Sequence, residues 1–291
     1  MNTFQEFCFC TLAVGDRYRA HAQVLARDIH KHMPSKTLCV LTDQPKQFAE
    51  FPHVLAFKHH LQSVKGYHDK RFVLEKSLSL FESCMFLDSD VRVLGTTFED
   101  LKWSPGITAR AGANLADRMQ TITNQKEIKV IKEAAQKLNV DIQQAQWLHE
   151  FMFVMKRQNG LERDFFELWQ TISYFFELQG IYDGEGYAMG LAAARIGITF
   201  DFFREDKFPF FKDNIERVRV KNGQSSLQDK QIYFDIHREI EYPKHSLWEK
   251  VQNKLSKQAV FYYRLLRLRI FVKKDPNFSK IFRSTSKNNS G

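Results

Sequence analysis

The chain has 291 residues, of which 43% are hydrophobic and 14% aromatic, so it can bury a large core. Glycine and proline are sparse, at 13 and 7 residues, and this excludes collagen-like, disordered and linker-rich chains. The formal net charge of +9 leaves nucleic acid or an anionic membrane surface open as a partner.

The start of the chain and its cysteines predict a cytoplasmic location. The first residues lack the basic region of a secretory signal, and no apolar run approaches the roughly 20 residues that span a bilayer. Cys8, Cys10, Cys39 and Cys84 lie in apolar runs, where a reduced thiol behaves as a small hydrophobic group. Metal binding by Cys8 and Cys10 is the less favoured alternative, because zinc sites use wider spacing.

Strand-like and helix-like patterns alternate through the first hundred residues. They predict, in chain order, a strand at 7–14, a helix at 16–32, strands at 38–42 and 54–57, a helix at 70–82 and a strand ending at Leu87. This alternation indicates an α/β fold with a mostly parallel sheet covered by helices. Ligands of such sheets bind at the carboxyl ends of the strands.

The pattern weakens between residues 107 and 146, where only an amphipathic helix at 128–138 stands out. Further on, the sequence predicts a strand at 151–155, helices at 161–176 and 187–196, and a strand-like run at 231–235. We expect the weakly patterned insertion to shape a substrate pocket.

Two acids follow the apolar run that ends at Leu87, namely Asp88 and Asp90. Residues at positions i and i+2 on extended backbone point the same way, so both carboxylates can hold one cation. Carboxylate oxygens suit Mg²⁺ or Mn²⁺, which leave positions for water and substrate phosphates. The alternative is a strand-end turn with two solvated acids.

Placed in order, these blocks resemble the GT-A glycosyltransferases, most closely the family 8 group that includes glycogenin and bacterial lipooligosaccharide galactosyltransferases. Residues 11–18 (TLAVGDRY) resemble that family's opening TLxxNDxY, residues 38–43 its second strand, and residues 86–90 (FLDSD) its metal motif. Residues 183–187 (DGEGY) resemble a GGDQG segment beside the sugar site, and residues 236–237 resemble a late VHF.

The resemblance implies a set of site residues. The donor-nucleotide site would consist of Thr11, Leu12, Ala13, Tyr18, Asp88 and Ser89, and the metal site of Asp88, Asp90 and His237. Gly15 replaces the family's asparagine, and Lys244 stands one place from its phosphate-binding lysine. His237 also lacks the glycine that the family has three residues further on. One nitrogen ligand beside carboxylates favours Mn²⁺ over Mg²⁺.

Further candidates lie around these motifs. Phosphate or sugar contacts are assigned to Lys70, Arg71, Lys76 and Lys244, with a solvated helix face as the alternative for the first three. Asp183 and Glu185 are catalytic candidates by the resemblance, and at least one is expected to cap the following helix instead. Trp147, His149 and Glu150 are acceptor-site candidates, with a core role as the alternative for the tryptophan.

The chain end is basic and aromatic. Apolar residues recur at helical spacing between Leu247 and Ile270, and lysines and arginines occupy other faces. This pattern favours a helix in an anionic membrane interface, with packing against the domain as the alternative. Nucleic acid is not expected, because no recognised binding motif is present.

The sequence therefore predicts three segments. A GT-A domain spans 1–243, with a nucleotide-binding half at 1–100 and an acceptor half at 101–243. A basic helical extension spans 244–283, and a disordered tail spans 284–291. The predicted activity is metal-dependent sugar transfer from a nucleotide sugar, such as a UDP-sugar, to a glycan or lipid-linked acceptor, with retention of configuration. A nucleotidyltransferase or a non-catalytic nucleotide- or glycan-binding protein is the alternative. The predicted location is cytoplasmic or peripheral on the inner face of the cell membrane.

Overall fold

A computed structural model describes residues 5–95, 102–203, 208–243 and 247–283, with the side chains of 247–255 outside that description. The strands are β1 (Gln5–Ala13), β2 (Thr37–Thr42), β3 (Val54–Lys58), β4 (Phe81–Leu87), β5 (Arg92–Val93), β6 (Gly106–Ala109), β7 (Gly112–Asn114), β8 (Gln146–Leu148), β9 (Met152–Lys156), β10 (Phe200–Phe202) and β11 (Phe210–Phe211). The helices are α1 (Asp16–His32), α2 (Lys70–Leu78), α3 (Leu115–Gln120), α4 (Gln125–Leu138), α5 (Leu161–Leu178), α6 (Glu185–Ile196), α7 (Asp213–Lys221), α8 (Leu227–Glu241) and α9 (Leu247–Lys274).

The central sheet has seven strands in the order β10, β6, β9, β4, β1, β2, β3. All neighbouring pairs are parallel except those made by β9, which runs antiparallel to both β4 and β6. Two small antiparallel pairs, β5 with β11 and β7 with β8, lie outside this sheet. The predicted α/β fold with a mostly parallel sheet flanked by helices is confirmed.

The two faces of the sheet bury separate cores. Along β1, Cys8 and Cys10 pack in one core with residues of α2, α5 and α6, whereas Phe9 packs in the other with Ala22 and Leu25 of α1. This alternation follows from the two-residue period of a strand. All four cysteines are buried free thiols on the first face.

The predicted strand at 231–235 is wrong, because these residues lie within α8. The Ser226 side chain caps the start of this helix. Asp235 then accepts hydrogen bonds from Gln231 at 2.9 Å and from Arg238 at 2.6 Å, one turn away on either side. Side chains at these spacings meet on one face of a helix. The β-prone run Ile-Tyr-Phe at 232–234 instead led to the prediction of a strand.

Two glycines let α6 pack closely against β8. A Cβ atom at Gly190 would overlap the Gln146 carbonyl oxygen, and one at Gly186 would meet the Leu148 carbonyl oxygen at 2.5 Å. The helix therefore lies against the backbone of the strand that precedes β9. This contact fixes the start of α6, where Glu185 stands.

Replacing Gly190 by alanine should destabilise the fold by about 3 kcal/mol or more, because α6 or β8 must move to remove the overlap. Gly223→Ala is the matched control, since Gly223 has φ +69° but no atoms near an added Cβ. It should cost only about 1 kcal/mol of left-handed strain. Urea unfolding measures both free energies. Equal losses in the two variants would contradict this account of the α6 contact.

The basic extension contains a helix, α9, that presents two apolar faces. The face toward the domain consists of Phe261, Leu265, Leu268 and Val272. The other face is exposed and consists of Tyr262, Tyr263, Leu266 and Ile270. Within the described residues, no helix is both long and apolar enough to cross a membrane. Residues 284–291, where a tail was predicted, lie outside the described residues.

Candidate functional site

The acidic pair lies in a tight turn directly after β4. The Asp88 N–H donates to the Phe151 carbonyl oxygen at 2.9 Å, which extends the pairing of β4 with the start of β9. The Val91 N–H donates to the Asp88 carbonyl oxygen at 3.0 Å and closes the turn. Asp28 of α1 holds the following strand through Arg92, at 2.5 and 2.9 Å. The position of both carboxylates is therefore set by the central sheet and α1.

Two lysines neutralise this acidic pair. Lys212 Nζ lies 3.0 Å from Asp88 Oδ2 and 2.6 Å from Asp90 Oδ1, so both carboxylates converge on one ammonium group. Lys70 Nζ lies 3.2 Å from Asp88 Oδ1 and 3.0 Å from Glu185 Oε1. Burial alone would raise the pKa of Asp88, but the two ammonium groups lower it to about 2. The carboxylate is therefore ionised throughout the physiological range.

A cavity of about 540 Å³ opens beside this cluster, within the size range of small-molecule and cofactor sites. Of the residues predicted from the sequence, it is lined by Leu12, Tyr18, Lys70, Asp88, Ser89, Asp90, Glu150, Glu185 and His237. Its wall also contains residues that the sequence did not indicate, chiefly Arg17, Lys65, Tyr67, Lys212 and Glu241. The only sequence signal for Lys212 is its place after the aromatic run of β11, which resembles the placement of Asp88 after β4.

Other predicted residues do not line this cavity. Thr11 and Ala13 are fully buried in the sheet. Arg71 is buried with its guanidinium over the Phe72 ring at 3.6 Å, and Lys76 lies over Phe57 at 4.4 Å.

Asp183 is exposed and makes no cap. The residue at the N-cap position, directly before α6, is Gly184, and no side chain caps that helix. A capping hydrogen bond from Asp183 or Glu185 is therefore not found, whereas Glu185 does lie in the first turn of α6, where its negative charge favours the helix dipole. Lys244 lies outside the described residues.

Two glutamates form the inner wall of the cavity. Glu150 Oε2 and Glu185 Oε2 are buried, and neither accepts a hydrogen bond within the described part of the chain. Burial raises the pKa of Glu150 to about 7, and the negative charge of Glu185 adds to the effect while Lys70 opposes it. Two unsatisfied carboxylate oxygens beside an ammonium group are suited to accept hydrogen bonds from hydroxyl groups of a ligand.

Glu150→Gln should weaken the pH dependence of stability. The folded protein keeps this proton up to about pH 7, whereas an unfolded glutamate releases it near 4.5. The free energy of unfolding therefore falls as the pH rises through that window, and glutamine removes the contribution.

Urea unfolding at pH 4.5, 6 and 8 measures the change. Exposed Glu167→Gln is the control and should keep the slope of the parent protein. A Glu150→Gln slope as steep as that of the parent would show that Glu150 titrates normally.

The predicted metal ligands are only partly gathered. His237 lies on α8, packs against His21 with ring centroids 5.1 Å apart and ring planes tilted by 37°, and has a buried Nδ1 without a hydrogen-bond partner within the described residues. His21 Nε2 lies 3.0 Å from Glu241 Oε1. No three His, Cys, Asp or Glu side chains in the described ranges are close enough to hold a metal together. Asp88 and Asp90 nevertheless fit a hard cation, since both already contact one positive group.

The mouth of the cavity carries two aromatic rings. Tyr18 and Tyr67 line the cavity and are 41% and 43% exposed. The Arg17 guanidinium lies over the Tyr18 ring at 4.5 Å. Gly15, directly before α1, has φ +95°, a backbone conformation that is strained for residues with a Cβ. Its N–H donates a hydrogen bond to Asp43 at 3.1 Å. Exposed rings of this kind can stack on a nucleobase or a sugar.

The acceptor candidates separate into two groups. Glu150 lines the cavity, whereas Trp147 and His149 stack on each other behind it with centroids 5.8 Å apart. Arg118 lies over the Trp147 ring at 4.3 Å. Burial and the nearby Arg110 lower the pKa of His149 to about 4, so its imidazole is neutral and weakly basic at pH 7.

Comparisons with known proteins add a likeness of fold. No family model and no curated protein matches this chain. Among solved structures, it is similar to the galactosyltransferase LgtC in complex with donor and acceptor sugar analogs. The TM-score is 0.45 and the identity 12%, over 67% of this chain and 72% of that chain. A likeness at this level carries no argument about activity, which rests on the site.

Proposed function

We propose that this protein is a glycosyltransferase that moves a sugar from a nucleotide-sugar donor, such as a UDP-sugar, to a glycan or lipid-linked acceptor. The observation that carries the proposal is the convergence of Asp88 and Asp90 on one point of a cavity that has exposed aromatic rings at its mouth. A fold alone does not define a function, whereas this combination supplies contacts for a base, a diphosphate and a sugar.

The donor would lie along the cavity. A base would stack on Tyr18 or Tyr67, and the diphosphate would lie beside the acidic pair and its lysines. Asp88 and Asp90 would hold Mn²⁺ or Mg²⁺, which when bound stabilises the negative charge of the departing diphosphate. Lys70 already lies between Asp88 and Glu185 and keeps these carboxylates in place.

The sugar would lie against the inner wall. Glu150 and Glu185 have oxygens free to accept hydrogen bonds from sugar hydroxyl groups. Glu185 is the better catalytic candidate of the two acids near α6, because Asp183 does not line the cavity. We propose retention of configuration, which needs no strong base.

Hydrolysis of a panel of nucleotide sugars tests this activity, because a transferase without its acceptor can pass the sugar to water. We expect one donor to be hydrolysed and Asp88→Asn to lower that rate about 100-fold or more. Asp164→Asn is the matched control, since Asp164 is exposed on α5 and pairs with Arg163 at 3.5 Å. Absence of hydrolysis and of UDP binding would overturn the proposal. Release of pyrophosphate from a nucleoside triphosphate and a sugar phosphate would favour a nucleotidyltransferase.

We further propose that the outer face of α9 contacts an anionic membrane surface, where a lipid-linked acceptor would be met. Tyr262, Leu266 and Ile270 are 66%, 57% and 52% exposed on this face. Exposed Arg269 and Lys273 border the same face. Aromatic and aliphatic groups flanked by basic side chains match the headgroup region of an anionic bilayer.

Vesicle sedimentation tests this contact. Leu266→Glu/Ile270→Glu should lower binding to vesicles with 20% phosphatidylserine at least tenfold, through lost apolar burial and charge repulsion. Ile232→Glu is the matched control, because Ile232 is 63% exposed on α8. Binding that is equal in the double variant, or equal on neutral vesicles, would exclude this membrane contact.

A further inference from the structure

We propose that the Lys212 ammonium group and a divalent cation compete for the Asp88 and Asp90 pair, so that the cation binds well only when a diphosphate draws Lys212 away. The role of the diphosphate rests on the proposed function. The competition between Lys212 and the cation concerns only the chain and a metal ion.

The competition follows from where the ammonium lies. Lys212 Nζ is 2.6 Å from Asp90 Oδ1 and 3.0 Å from Asp88 Oδ2, and these are the two carboxylates that would ligate a cation together. A metal ion needs the same oxygen lone pairs at a shorter distance. It would also place two further positive charges beside the ammonium group. Both cations cannot occupy this position.

Lys212 is the lysine of the cluster that can leave. It stands immediately before α7 on extended backbone, with φ −140° and ψ 126°, and its side chain lines the cavity. The first turn of α7 is held independently, because Asp213 pairs with Arg217 at 2.8 Å. Rotation of the lysine side chain therefore requires no change in the helix.

Lys70 is fixed by contrast. Its ammonium group contacts Asp88, Glu185 and the Glu150 carbonyl oxygen at 3.2, 3.0 and 3.3 Å. Leaving this position would strand a second buried carboxylate, that of Glu185, which is 2% exposed. The two lysines thus have different roles, one structural and one exchangeable.

Charge balance explains why a diphosphate would favour the exchange. The carboxylates of Asp88, Asp90 and Glu185 face two ammonium groups, so the cluster carries one excess negative charge. A diphosphate that enters alone meets this negative charge. A divalent cation between the aspartates adds two positive charges. If Lys212 moves to the phosphates and stays in the cavity, the three carboxylates, the two ammonium groups and the cation together carry one excess positive charge. Metal and diphosphate therefore assist each other through Lys212.

Titration of the purified protein with Mn²⁺ alone, followed by the electron paramagnetic resonance signal of the free ion, tests the competition. Lys212→Met should bind Mn²⁺ at least tenfold more tightly than the parent protein. Lys212→Arg keeps the charge and should stay as weak as the parent. Lys65→Met removes a lysine from the same cavity wall without touching the acidic pair, and should change the affinity less than threefold.

A second titration with UDP present tests the coupling. UDP should raise the Mn²⁺ affinity of the parent protein at least tenfold, and this gain should be smaller in Lys212→Met. Equal Mn²⁺ affinity in the parent and in both Lys212 variants, including no binding to any of them, would overturn the proposal.

Thermal unfolding establishes that each variant is folded before it is titrated. Because the Mn²⁺ measurement uses no nucleotide sugar, it can succeed if sugar transfer fails. Donor hydrolysis can likewise occur if the competition fails, so the two proposals are tested separately.

Discussion

The candidate site depends on the free-energy cost of placing ionised carboxylates at the end of a buried strand. Asp88 follows β4, the strand between β1 and β9, and its backbone N–H is already used in pairing with Phe151. The backbone at Asp88 is therefore fixed at the end of the strand, and its partly buried carboxylate is stabilised by nearby positive charge. Lys70 and Lys212 provide this charge, and the low pKa of Asp88 is the result. The cavity is charged and polar because the fold delivers an acid there.

The reversed direction of β9 completes this arrangement. In a wholly parallel sheet, the strand beside β4 would end near the acidic pair. Because β9 is antiparallel, it begins there instead, with Met152 opposite Leu87, and the residues before it reach the cavity. Glu150 is placed by this reversal, and α6 is placed by the close packing of Gly190 on β8. Two segments distant in sequence thereby bring glutamates to the same wall.

The sequence predicted those parts of the molecule that depend on local pattern. The helix at 16–32 has the observed bounds of α1, and the alternation of the first hundred residues is the observed order. The acidic pair could be found because an apolar strand ends in it. Lys212 also follows an apolar strand, but its role could not be predicted, because it arises from the pairing of β11 with β5, which brings residue 212 to residues 88 and 90. The sequence predicted a strand directly before His237, but these residues form part of α8. The prediction failed because aromatic, β-prone residues can also form a mostly exposed helix when side-chain pairs stabilise it.

The last helix is connected to the cavity through one loop. Arg267 donates to the carbonyl oxygens of Leu61 and Gln62 at 3.1 and 2.6 Å, and the Val64 N–H donates to Glu177 Oε1 at 2.8 Å. Leu61 lines the cavity, so the segment held by α9 forms part of its wall. Arg267 is one of the arginines that the sequence places outside the apolar face of this helix, and it is used within the protein, whereas exposed Arg269 and Lys273 border the outer face. A surface that bound α9 would therefore act on the wall of the cavity through hydrogen bonds already present, which connects the position of this helix to the candidate site.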